Sequence, residues 1–123
     1  MGRGSGVTPS RGSVVLVELD PTKGHEQRGV RPCVVVSDPS INADQRYPLI
    51  AVVPVTGTTG AGALYPALAS GRSGLTKDSC ALVDHLRSID KRRIRSLFGR
   101  VAASELAAIE QGLELFLGLA RPQ

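Results

Sequence analysis

The sequence predicts a β-rich α+β fold, a small antiparallel barrel or sandwich that carries a C-terminal helix. Two observations lead there. Three short runs dense in β-branched residues, 13–19, 33–37 and 49–55, are each bounded by Gly, Pro, Asp or Asn, as buried strands are. Behind them, 103–120 repeats Leu106, Ile109, Leu113 and Phe116 or Leu117 at helical spacing, with Glu105, Glu110 and Glu114 outside. Short strands followed by one packed helix are the pattern of such domains.

"SVVLVEL" (13–19), "CVVVS" (33–37) and "LIAVVPV" (49–55) make the three central strands. "ALYPAL" (63–68) is a weaker edge strand, because Pro66 has no ladder donor. "SCALVDHLRSI" (79–89) runs from core to surface, turning Leu82 and Leu86 inward and Asp84 and Arg87 outward. "IDKRRI" makes one helical turn, and "RSLFGRV" (95–101) the last strand. Gly112 weakens the terminal helix without breaking it. The connections 37–48 and 57–66 are long and rich in turn formers, as functional loops are.

With 123 residues and 41% hydrophobic content, one domain with one core is expected. No apolar stretch reaches membrane-helix length, and the start "MGRGSGVTPSRG" lacks the apolar middle of a signal peptide, so a soluble, cytoplasmic protein is expected. Cys33 and Cys80 stand far apart in apolar contexts and are expected as reduced, buried thiols. No metal-ligand spacing accompanies them, and no metal or cofactor is expected.

Fifteen basic residues, twelve of them arginine, face eleven acidic ones, and arginine's planar fork suits phosphate. From 87 to 100 six basic residues stand against Asp90 alone, a surplus attractive to nucleic acid or to an acidic protein segment. With no Trp and four other aromatics, stacking platforms for bases are scarce. Walker loop, dinucleotide fingerprint, HExxH and nucleophile elbow are all absent. What remains is polar residues at strand ends: Glu26, Gln27 and Arg31 before one strand, Thr56 and Thr58 after another.

These residues carry a resemblance. "GSVVLVELDPTKGHEQRGVRPCVVVS" resembles the opening of the MazF/PemK (Kid) toxins: a glycine-led strand, a D-P turn, a G-[SH]-E-Q loop, then R-P and an apolar strand. "AVVPVTGT" is similar to the family's second apolar strand ending in Thr, and "KDSCALVDHLRSIDKRRI" to its D-S-x-x-L-x-[DE]-Q-[IVL]-R-[ST]-I-D segment. The resemblance spans about residues 11–118, so residues 1–10 are expected as a flexible tail and 11–120 as the toxin-like domain.

The resemblance implies a Src-homology-3-like antiparallel barrel of the CcdB/PemK/MazF type with a C-terminal helix. It implies a homodimer and a sequence-selective, metal-independent endoribonuclease that cuts single-stranded RNA and is neutralised by an acidic, MazE-like antitoxin. By position, Arg31 and Thr56 match the family's catalytic pair, and Glu26 and Gln27 the polar pair of the active-site loop. Glu26 joins the catalytic set; His25, Gln27, Ser37, Thr58, Asp84, His85 and Arg87 form the expected substrate-binding set. His85 departs from the family's usual Gln and presents different donors and acceptors, so the cleavage sequence does not carry over. Arginine is a poor general base, which leaves Glu26 or His25 to remove the 2′ proton. Two other readings share the fold. One is a CcdB-like gyrase poison, which depends on a Trp-containing tail where this chain has no Trp; the other is a barrel that binds RNA or protein without catalysis.

Overall fold

The structure, a computed structural model, describes residues 8–19 and 29–119. Its strands are β1 (Ser13–Leu19), β2 (Gly29–Val35), β3 (Leu49–Thr56), β4 (Ala67–Leu68), β5 (Ser79–Ala81), β6 (Arg87–Asp90) and β7 (Ile94–Arg100), with helices α1 (Pro39–Ala43) and α2 (Ala103–Phe116). All seven strands join one antiparallel sheet in the order β4-β5-β3-β2-β1-β7, with β6 also on β3. The sheet curls into a half-barrel with α2 against it, so the expected β-rich barrel with a C-terminal helix is borne out.

Alternation along the strands sends apolar side chains to both faces. Val14, Val34, Val53 and Val55 share one face with Ile109 of α2; Val15, Val17, Cys33, Val35, Val52 and Ile89 fill the other. Gly112 is buried on the first face, where a Cβ would lie 2.7 Å from the Ala63 carbonyl, so the residue that weakens the helix also lets it dock. Glu105 accepts from the backbone N–H of Ala102 at the helix start and from that of Ala69, tying the helix start to the chain after β4.

Four sequence expectations are revised. The helix stops at Phe116 rather than 120, because Gly118 adopts φ +72° and the Leu119 N–H returns to the Glu114 carbonyl. The connection 37–48 holds the short helix α1, with Asp38 accepting from the Ser40 N–H. The expected run 63–68 contributes only the two residues of β4.

The fourth revision concerns 79–89, which is not one strand. Its halves, β5 and β6, occupy opposite ends of one edge of β3, separated by a 3-10 turn at Val83–His85. Pro54 explains the break. Its carbonyl faces this edge and accepts from Leu82, so its missing N–H faces the same way and the ladder cannot continue. The helical turn expected in "IDKRRI" is present at Lys91–Arg93.

Candidate functional site

Arg31 lies within β2 itself, four residues earlier than the strand expected from the apolar run. Residues 29–32 pair with β1, and the ladder to β3 begins only at Cys33, so this stretch is an edge on the β3 side and tolerates Pro32. Pro32 holds Arg31 in extended backbone, which fixes the exit direction of its side chain.

The β2–β3 register pairs Cys33 with Pro54, Val34 with Val53 and Val35 with Val52. Arg31 and Thr56 each lie two residues beyond the last of these pairs, Cys33–Pro54. Both belong to the face that carries Cys33 and Pro54, away from α2. Thr56 is half-buried at the strand end, paired with Cys80 of β5, and its Oγ1 stands 3.4 Å from Thr58 Oγ1.

Arg87 pairs with Val52 and shares this face two rungs further along. It lies near enough to Cys33 for its charge to pull the thiol down, but burial dominates and pushes Cys33 up to about 12. Cys33 is therefore a neutral floor beneath the arginines, not a nucleophile. Before Arg87 the chain leaves β3 in the 3-10 turn that holds Asp84 and His85, and it is Leu82 whose N–H reaches the Pro54 carbonyl. In the 3-10 turn, Asp84 Oδ1 lies 3.8 Å from His85 Nε2. Asp84 Oδ1 and His85 Nδ1 are both buried without a hydrogen-bond partner among the described residues. Buried polar atoms are seldom left so without a role.

Tyr65 was not singled out from the sequence. Its hydroxyl donates to Asp84 Oδ2 at 2.7 Å, and this bond holds the phenol above its ordinary range. With Val83 N–H on the Leu64 carbonyl, it clamps the end of loop 57–66 onto the 3-10 turn. A tyrosine inside a Gly-rich stretch, in a chain with only four aromatics, was the available signal.

Ser37 stands apart from this group. It follows the far end of β2, six residues or about 20 Å from Arg31. Its hydroxyl donates to Asn42 Oδ1 and accepts from the Ala51 N–H, which anchors α1. Glu26, Gln27 and His25 lie outside the described residues. The described residues thus put Arg31, Thr56 and Arg87 on the Cys33 face of the sheet, Thr58 beside Thr56, and Asp84 and His85 in the turn between β5 and β6. Among the described residues no three His, Cys, Asp or Glu side chains gather as metal ligands do.

The basic surplus at 87–100 is partly neutralised within the fold. Arg92 bridges Asp90 at 3.0 Å, Arg95 bridges Glu18, and Lys91 Nζ donates to the Ile41 and Asp44 carbonyls at 2.9 Å each.

Residues 10–117 match the family described as "PemK-like, MazF-like toxin of type II toxin-antitoxin system". The chain is 38% identical over 115 residues to Endoribonuclease MazF9 of Mycobacterium tuberculosis, an alignment covering 89% of this chain and 96% of that one. The crystal structure of MazF (Form-I) from Deinococcus radiodurans superimposes with a TM-score of 0.77 at 30% identity, covering 91% of this chain and 98% of the other. That of MazE-MazF (Form-II) from the same organism gives 0.73 at 29% identity, covering 93% and 99%.

Proposed function

The chain belongs to the PemK-like, MazF-like toxin family of type II toxin-antitoxin systems, and from that premise we propose that it is an endoribonuclease that cuts single-stranded RNA selectively and without a metal ion. The observation that carries this reading is that Arg31 and Thr56 fall on one face of the sheet, each two residues past the last β2–β3 pair.

The 2′-hydroxyl attacks the neighbouring phosphorus, the 5′-oxygen leaves, and a 2′,3′-cyclic phosphate and a free 5′-hydroxyl result. Negative charge grows on the non-bridging oxygens, where a preorganised cation or donor lowers the barrier by several kcal/mol. Arg31 supplies the cation and Thr56 a hydroxyl donor. The 2′ proton goes to Glu26 or His25. Gln27, Thr58, Arg87 and the Asp84–His85 pair hold the flanking nucleotides.

Two partners follow. A homodimer covers exposed apolar residues such as Leu97 and Phe98 on the outer strand β7. An acidic antitoxin docks on the arginine-bearing face, in keeping with the Deinococcus relative solved as MazE-MazF. No helix among the described residues is long and apolar enough to cross a membrane, and we place the chain in the cytoplasm with its RNA substrate.

The test is incubation of the purified protein with a long single-stranded RNA in excess EDTA, followed by end-group analysis. Cleavage that leaves 2′,3′-cyclic phosphate is expected. Activity that vanishes in EDTA and returns with Mg²⁺ would overturn the mechanism.

A further inference from the structure

Gly57 directly follows Thr56, and its φ does not lie in the left-handed region that favours glycine. The backbone there accepts any residue, so the missing side chain answers a need for space. Lys77 fills that space: a Cβ on Gly57 would lie 2.6 Å from Lys77 Cε and 3.3 Å from Nζ. The ammonium is thus laid against the backbone beside Thr56.

Lys77 is fixed at its root. Ser79 Oγ donates to the Lys77 carbonyl at 2.9 Å, and the next residue, Cys80, is the ladder partner of Thr56. The adjacent carboxylate is turned away, since Asp78 Oδ1 accepts from the Ser70 N–H. Among the described residues no carboxylate or carbonyl engages the Lys77 ammonium, whereas Lys91, Arg92 and Arg95 all have partners. Ordering a long lysine stem costs rotamer freedom, and here no intramolecular bond compensates.

We propose, on the premise of the RNA-cleaving reading above, that Lys77 is a phosphate-binding residue of the site, its ammonium seated in the slot left by Gly57 to hold a phosphate adjoining the one addressed by Arg31 and Thr56. Gly57 is then a positioning residue that keeps the slot open.

The probe is a random-sequence single-stranded DNA pool, which retains the phosphates and lacks the attacking hydroxyl. Binding to the full chain is measured from 50 to 300 mM salt, and cleavage of an unmodified RNA is measured alongside. Lys77→Ala is expected to weaken binding about three- to tenfold at the lowest salt and to flatten the slope of log K against log salt by about 0.7, the loss of one contact on a single strand. Lys77→Arg restores both. Gly57→Ala displaces the ammonium without removing it and gives the Lys77→Ala result, and the double variant is no worse than either single one. A Lys77→Ala slope equal to wild type, or a Lys77→Arg defect as large as that of Lys77→Ala, overturns the inference. Failure of the wild-type protein to cut RNA overturns instead the reading beneath it.

Discussion

The two ends of β3 are built alike and charged differently. At the Leu49 end, beside β6, a cleft of about 340 Å³ is lined by Tyr47, Asp90, Lys91 and Arg92 among others. There Arg92 is held by Asp90, Arg46 by Asp44 at 2.7 Å, and Lys91 by two carbonyls. At the Thr56 end Lys77 lies across Gly57 with no such partner, and Asp84 and His85 keep buried polar atoms unpartnered. Charge density alone would rank the first end higher. What marks a binding site is polar groups whose bonding capacity the fold leaves unused, because a ligand has to replace the water they keep.

Two arginines five residues apart, one on β6 and one just past it, carry the same contrast between engaged and unengaged cations. Arg87, which points to the Cys33 face, has no carboxylate partner among the described residues; Arg92, beyond the strand end, is bridged to Asp90. Arg87→Ala is expected to weaken binding of single-stranded nucleic acid about three- to tenfold and to flatten its salt slope by about 0.7, while Arg92→Ala changes affinity less than about twofold. Parallel titrations across salt check both. Equal losses would erase the distinction between engaged and unengaged cations.

A smaller effect reports the engaged end directly. Hydrogen bonds from Arg92 hold the half-buried Asp90 carboxyl at about 2, against an ordinary 3.8. A lowered carboxylate stabilises the fold above its ordinary value and loses that contribution as pH falls through the folded one. The turn at Lys91–Arg93 should therefore keep its native signals well below pH 3.8 and lose them near pH 2. In Arg92→Ala the Asp90 midpoint, followed by carboxyl-carbon NMR, should return towards the ordinary value. The same midpoint in both proteins would mean that the bridge is not formed in solution.

Much of this was legible in the residues. β1 matches its expected span, β3 runs one residue further, and the R-P step and the strand-ending Thr mark Arg31 and Thr56. Less visible was what depends on pairing. Pro54 inside an apolar strand hinted that its neighbour could not run unbroken, yet only the ladder shows that β5 and β6 divide one edge. Helix α1 was written in Asp38 followed by Pro39 at the first turn, an N-terminal signal hidden by its short length. Arg31 and Thr56 stand 25 residues apart in the chain on neighbouring strands, and register between strands is set by long-range packing rather than by local sequence. Lys77 was passed over because its value depends on an empty place at Gly57.

In the proposed mechanism Arg31 and Thr56 act on one phosphate. A double-mutant cycle on RNA cleavage tests it, with circular dichroism on the same samples to confirm folding. Arg31→Ala should lower the rate about 10²–10³-fold and Thr56→Ala less, as the loss of a preorganised charge-stabilising donor does. The double variant should be hardly slower than Arg31→Ala alone, because groups that act as a unit are not additive. Additive losses would place the two residues on separate phosphates, and a folded, fully active Arg31→Ala protein would contradict the account outright.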